Sequence, residues 1–374
     1  MNPSAPQPER PSPSRRRFIK HGIALGAALV AGRAAPAPAQ SRPAPDDPSK
    51  IVGGPMLPYG ERSAFEGALR EKGAPSMPDE WGGNFTPLGE MLGTITPSAL
   101  HFEVCRGGIP TIDPKKHRLL IHGMVDRPLI LTIDEIRRLP STSRILFLEC
   151  AGNTRSEWQA PMAPSVQFTH GLTSCTEWTG VALSLLLREA GAGKSASWIV
   201  AEGADATGNE RSIPMAKAMD DVLVAYGQNG EALRPGNGYP LRLIIPGWEG
   251  NVNTKWLRRI KVVDSPYMTR MESSDHTSLM PDGKARQFLF VMEAKSVITF
   301  PSGAQRLPGP GFYEIKGLAW TGRGLVRRVE VSADGGKTWR DAKLQAPVKN
   351  SIYHNNAIKS WKVAADGIVH NVHV

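Results

Sequence analysis

"RILFLECAGNTRSEW", residues 144–158, runs four apolar residues, Ile145 to Leu148, into Glu149 and Cys150 and then into Ala-Gly-Asn. A short apolar run closed by a Gly/Asn turn reads as a strand. Cys150 therefore stands at the mouth of a strand, followed by residues too small to cover its sulfur. A thiolate is a soft, strongly donating ligand suited to a redox-active transition metal. Arg155 supplies positive charge nearby, and Trp158 and Trp178 are candidates to wall such a site. The residues alone also permit a disulfide with Cys105 or Cys175, or an inert buried thiol. None of the three cysteines has CxxC or CxxCH spacing, which removes c-type haem, iron–sulfur clusters and structural zinc.

Around this strand the pattern is mostly β. "HRLLIHGMV", "LILTI", "SWIVAEG", "DVLVAYGQNGEAL", "YPLRLIIPG" and "IKVVD" read as further strands between turns rich in Gly, Asn, Asp and Pro. Two short helices are predicted. One is "TIDEIRRL" (132–139), with Thr132 and Glu135 spaced for a capping box, and the other is "ALSLLLREAG" (182–191). Many strands with few helices between them give an α+β fold with mixed sheets rather than a doubly wound nucleotide-binding fold. The predicted organisation is an N-terminal signal at 1–39, an irregular Pro- and Gly-rich arm at 40–94, a cofactor domain at 95–290 and a second domain at 291–374. That last domain alternates in strand fashion and suits an immunoglobulin-like sandwich, but it is short for one.

The N-terminus reads "SRRRFIK" (14–20), then an apolar run from Gly22 to Gly32, then "APAPA" ending at Ala39. Paired arginines, a short apolar run and a small-residue cleavage site describe a twin-arginine export signal and predict a periplasmic product. This route carries folded proteins and so hints at a cofactor installed beforehand. Without residues 1–39 the chain keeps 39 basic and 34 acidic residues, a net charge of +5 against +10 for the whole. That is too mild and scattered to indicate nucleic acid, and no second long apolar stretch suggests a membrane after cleavage.

A second cluster is "NGYPLRLIIPGWEGNVNTKWLRRI", residues 237–260. Arg242 on a strand beside a Gly-rich loop ending in Asn253-Thr254-Lys255 makes a plausible phosphate cradle, though an edge strand with ordinary surface charges is also possible.

Taken together, "CAGNTRSEW", "AEGAD", "SIPMAKAMD", "GYPLRLIIPGWEG" and "TKWLRRI" resemble, in order and spacing, the sulfite oxidase family of molybdoproteins over about residues 60–345. "MPDGKARQFLFVMEAKSVIT" and "SADGGKTW" are most similar to its sulfane dehydrogenase, SoxC-type branch. The resemblance implies a molybdopterin-binding domain followed by a dimerisation domain, with Cys150 ligating molybdenum. It places Arg155 and Trp178 in an oxyanion pocket and His276 where the family has a pocket tyrosine, making His276 a catalytic candidate and a source of pH dependence. It assigns the pterin and its phosphate to Asp205, Arg242, Asn253 and Lys255, with Phe102 before Glu103 at one edge and Asn237 in place of a family histidine. The implied chemistry is oxygen-atom transfer to sulfite or to sulfane sulfur on a carrier protein, with electrons leaving for a c-type cytochrome subunit. Two alternatives stand beside this: a methionine sulfoxide reductase-like molybdoenzyme, and an inactive cofactor-bearing partner subunit.

The chain also departs from the family. "FEVCR" puts Val104, Cys105 and Arg106 where the family has an arginine followed by Asn or His and then His, so the pocket arginine is missing and the shifted Arg106 is expected to turn away from the site. After Val348 some strands of the family's second domain are skipped, which predicts an incomplete sandwich with exposed edges and a homodimer in doubt. His354, His370 and His373 read as tail residues rather than metal ligands.

Overall fold

The computed structural model describes residues 51–73, 78–159, 165–303, 305–345, 356–359 and 370–373. The export signal read at 1–39, His354 and the junction after Val348 lie outside the described residues. Residues 1–63 and 64–374 form separate compact units. In the first, residues 51–63 are exposed and carry no helix or strand.

The second unit opens with an antiparallel trio, β1 (Glu71–Lys72), β2 (Trp81–Phe85) and β3 (Glu103–Arg106). Two of these strands fall within the stretch 40–94, where Gly82 and Gly83 interrupt any apolar alternation. Next in the chain are β4 (Arg118–Gly123), β5 (Leu129–Thr132), β6 (Ser141–Glu149), β7 (Thr173–Ala182), β8 (Trp198–Gly203) and β9 (Glu210–Pro214). They are followed by β10 (Leu223–Gln228), β11 (Glu231–Ala232), β12 (Arg242–Ile244) and β13 (Leu257–Val263). These strands build two sheets. One has the order β5-β4-β13-β8-β9, with β13 parallel to β4 and the other pairs antiparallel. The other is β11-β10-β7-β6, with β12 also paired to β10. The first sheet is mixed, as the sequence predicts, and the second is antiparallel throughout.

Both predicted helices form. Thr132 and Glu135 complete the capping box at the start of Ile133–Arg137, satisfying backbone amides that have no partner within the helix. Leu183–Ala190 buries Leu183, Leu186, Leu187 and Ala190, the i, i+3, i+4, i+7 stripe of an amphipathic helix, and ends at Gly191 in the left-handed conformation (φ 69°). This stripe joins Ile121, Ile199, Val224 and Leu243 from both sheets in one apolar core.

Downstream, β14 (Ser278–Leu279) and β15 (Ala285–Arg286) pair as a hairpin. β16 (Lys295–Phe300), β17 (Lys316–Trp320), β18 (Glu330–Ser332), β19 (Arg340–Asp341), β20 (Lys343–Leu344), β21 (Asn356–Lys359) and β22 (His370–His373) then make two small sheets. Their orders are β16-β17-β21-β20 and β19-β18-β22, and they share a core of Ile315, Ala319, Val326, Val329 and Val331. This is the sandwich read from the sequence.

The alternation of β6 positions the site. Side chains two apart on a strand share a face. Leu146, Leu148 and Cys150 accordingly join a cluster with Phe102, Trp178 and Ile244. Ile145 and Phe147 face the other way, onto Met292, Val297 and Trp320 from the C-terminal region. Glu149 follows the second set and is fully buried. Its carboxylate accepts from Asn153 Nδ2 at 3.0 Å, Lys295 Nζ at 2.7 Å and Trp320 Nε1 at 2.6 Å. The C-terminal region also grips the loop after β12, where Met292 N donates to the Gly247 carbonyl at 3.0 Å and Glu249 N to the Phe290 carbonyl at 2.7 Å.

Replacing Lys295 by Met leaves the buried Glu149 carboxylate without its counter-charge. We expect this to cost about 3 kcal/mol in denaturant unfolding, because breaking a buried pair strands a desolvated charge. Adding Glu149→Gln to Lys295→Met is expected to return most of the loss, and a double variant no more stable than the single one would refute the pairing.

Candidate active site

Cys150 opens into a cavity that gathers Arg106, Arg211, Arg242, Lys255 and His276, with Phe102, Val104, Cys105, Asp205, Asn251 and Asn253 also on its wall. Gly152 lies beside its sulfur, where a β-carbon would stand 3.9 Å away, an ordinary contact distance. Gly250, on the facing loop, has no room for one at all. A β-carbon there would lie 2.9 Å from the Glu149 carbonyl oxygen and 3.3 Å from the Cys150 Cα.

No disulfide joins any of the three cysteines. Cys175 is buried on the face of β7 opposite the cavity, in the cluster with Phe147 and Trp320, so the disulfide alternative for Cys150 does not hold. Burial raises the Cys150 pKa, with Glu149 and Glu249 adding to the effect, and this outweighs the lowering by Arg106. The electropositive activation expected of the thiol is therefore weaker than burial, and without a metal the group is a thiol.

The cations decide what the cavity is built for. Arg242 is 4% exposed and Arg211 is 2% exposed. Among the described residues neither they nor Lys255 reach a carboxylate within ion-pair distance. Arg242 donates through Nη1 to the Asn237 carbonyl at 3.0 Å and lies over the Trp178 ring at 5.2 Å, while its buried Nε has no partner. Lys255 donates to the carbonyls of Val104 at 2.7 Å and Gly236 at 2.9 Å. Burial pulls the Arg242 pKa down to about 9, and burial together with Arg242 pulls Lys255 down to about 8. Buried cations without counter-ions are costly, so the cavity is complementary to an anion.

The other candidates fall into three groups. Asp205 is on the wall and accepts from the Thr207 hydroxyl and from Asn209 N at 3.3 Å. Asn253 also lines the wall, yet both ends of its amide brace the loop, accepting from Ile245 N at 2.6 Å and donating to the Glu249 carbonyl at 2.8 Å. Asn237 lies behind Arg242, 1% exposed, with its amide donating to Gln228 Oε1 at 3.1 Å and its own Oδ1 unpartnered. Trp178 is fully buried beneath Arg242 and off the cavity wall, and Arg155 is exposed at the start of the helix Arg155–Gln159, also off the wall.

Two expectations need correction. Arg106 does not turn away from the site: it lines the cavity and is ion-paired with Asp275. Positions 104 and 106 share a face of β3, so the shift by two keeps a cation on the same side. His276, read as a source of pH dependence, has its pKa pulled down to about 4 by burial and by Arg211. The sequence reading missed Arg211, Asn251 and Met271. Arg211 left a faint signal as the one cation in the buried stretch of β9, whose neighbours Ser212 and Ile213 are fully buried.

Comparison with known proteins agrees with this geometry. Residues 106–271 match the oxidoreductase molybdopterin binding domain, and residues 286–367 match the Mo-co oxidoreductase dimerisation domain. The crystal structure of the sulfane dehydrogenase SoxCD from Paracoccus pantotrophus superposes with a TM-score of 0.80 at 40% identity, over 86% of this chain and 87% of that one. Mitochondrial sulfite oxidase of Mus musculus is 33% identical over 70% of this chain and 52% of its own length. The NADH nitrate reductase of Ulva prolifera is 31% identical over 66% of this chain and 32% of its own. The chain thus spans about half the length of the first and a third of the second. It belongs to the sulfite oxidase family of molybdopterin oxidoreductases.

The residues present fit that cofactor. A reachable sulfur, unpaired buried cations and an orphaned guanidinium Nε converge on one cavity. Among the described residues no group of three or more His, Cys, Asp or Glu is arranged to hold a metal.

His276 is expected to stay neutral through the range around pH 6.5 where a free histidine titrates, because burial and the adjacent guanidinium disfavour imidazolium. Its imidazole resonances are expected to shift only as the pH falls toward about 4. A midpoint near 6.5 in an NMR titration would contradict this placement.

Proposed function

We propose that the chain is a periplasmic, molybdenum-dependent oxidoreductase. It oxidises sulfite or a carrier-bound sulfane sulfur by oxygen-atom transfer and passes the electrons to a c-type cytochrome subunit. The observation that carries this reading is the Cys150 sulfur opening into a cavity whose buried cations lack carboxylate partners. Similarity to nitrate reductase is of the same order as that to sulfite oxidase. The higher identity and near-full coverage of a sulfane dehydrogenase favour sulfur over nitrate.

Cys150 supplies the protein's ligand to the metal. Arg242 and Lys255, with Asp205 beside them, hold the anionic pterin and its phosphate through charge-assisted hydrogen bonds. When bound, the molybdenum centre supplies two-electron oxygen-atom transfer. The overall conversion of sulfite takes one oxygen from water and yields sulfate, two electrons and two protons. The protein orients the sulfur oxyanion and surrounds it with fixed positive charge, which needs no reorganisation as the reaction proceeds. Export through "SRRRFIK" supports a periplasmic location, and the match of residues 286–367 to a dimerisation domain supports pairing with a second copy.

Cys150→Ser is expected to abolish sulfite-dependent reduction of cytochrome c, a loss of at least about a thousandfold, as for removal of a group on which the chemistry depends. Wild-type rates in the serine variant would overturn the assignment. Reduction of a sulfoxide with no response to sulfite would instead favour the sulfoxide reductase reading.

A further inference from the structure

We propose that Arg211 is the specificity-determining residue that binds the substrate's oxyanion, taking over a role for which β3 offers Val104. The proposal rests on the function above and concerns a residue outside the cofactor cradle.

Arg211 sits mid-strand on β9 with its side chain on the wall of the Cys150 cavity. Its Nε donates to the Asn251 carbonyl at 2.9 Å, which fixes one edge of the guanidinium. The remaining edge is unsatisfied. Nη1 is buried with no partner. Nη2 lies 3.4 Å from His276 Nδ1, but that nitrogen is also 3.0 Å from the Met271 carbonyl oxygen. In the tautomer whose Nδ1 donates to the Met271 carbonyl, that nitrogen has no lone pair for Arg211. Arg211, on the cavity wall, therefore has one guanidinium nitrogen with no acceptor and a second whose single neighbour, His276 Nδ1, is shared with the Met271 carbonyl.

The nearby carboxylates are engaged elsewhere. Glu272 accepts from Ser212 N at 2.7 Å and from the Thr269 hydroxyl at 3.1 Å, and Glu249 accepts from Asn251 Nδ2 at 3.2 Å. Neither is ion-paired with Arg211. Arg211 is held by the carbonyl of Asn251, next to Gly250, which packs against the Cys150 backbone, whereas Arg242 and Lys255 are held at the carbonyls of Asn237 and Gly236. The cavity thus has two cationic ends. One, Arg242 with Lys255, suits the cofactor. The other, Arg211 beside Cys150, presents a planar fork matched to two oxygens of a small doubly charged sulfur oxyanion. A lysine could keep the charge but not the fork.

The test uses the cofactor-loaded protein with sulfate as the probe, measured by calorimetry in wild type, Arg211→Met and Arg211→Lys. Molybdenum and pterin content is expected to equal wild type in both variants, because Arg211 lies away from Arg242 and Lys255. Sulfate affinity is expected to fall by about 30-fold or more in the Met variant and about tenfold in the Lys variant, as for lost hydrogen bonds to a charged group. The sulfite KM is expected to rise in the same order, with kcat changing less. Unchanged sulfate affinity in a metal-loaded Met variant, or no sulfate binding by wild type, would overturn the proposal. Sulfate bound by wild type and lost in the variants, in a protein that does not oxidise sulfite, would uphold Arg211 as an anion site and refute the proposed reaction.

Discussion

One buried carboxylate ties the molecule together. Glu149 lies at the end of β6 with no solvent contact, and three donors from three parts of the chain meet on it: Asn153, Lys295 and Trp320. The next residue is Cys150, and the pleat sends the two side chains to opposite faces. The strand end that carries the sulfur is therefore held from behind by the C-terminal sheets. The loop facing it is gripped by the same region, through Phe290 and Met292. The C-terminal sheets thus take part in setting the geometry of a cavity to which they contribute no side chain.

The cavity reverses the usual logic of a folded interior. Two buried arginines, Arg211 and Arg242, and the half-buried Lys255 line it with no carboxylate within ion-pair distance, although Asp205 shares the wall, while Glu149, just behind, is fully paired. Arg242 and Lys255 are held below their ordinary pKa values by desolvation. This stored cost is released when an anion enters, so a bound anionic cofactor should stabilise the fold by mass action as well as serve the chemistry. The chain's compensation for Val104 follows the same economy of charge: cations at Arg106 and Arg211 stand on the wall where the family pattern puts a different arginine.

Much of this was legible in the sequence because it depended on period and local chemistry. The apolar runs gave β4, β6, β8, β10 and β13, Thr132 and Glu135 announced their capping box, and Cys150, Arg242 and Lys255 followed from motif spacing. β7 was not legible. It is the central partner of β6 and β10, yet Thr173, Ser174 and Thr176 are buried polar residues that break the alternation expected of a core strand. Tertiary packing also moved Trp178 under Arg242 and left Arg155 at the surface, which no spacing argument could resolve. Arg211 was silent because its meaning is a missing partner, visible only once its neighbours are placed.

The most direct test is X-ray absorption at the molybdenum edge on purified protein, comparing wild type with Cys150→Ala. The account predicts that the variant's molybdenum has one fewer sulfur neighbour than the wild type's. An identical sulfur count in the two proteins, at equal metal content, would contradict it.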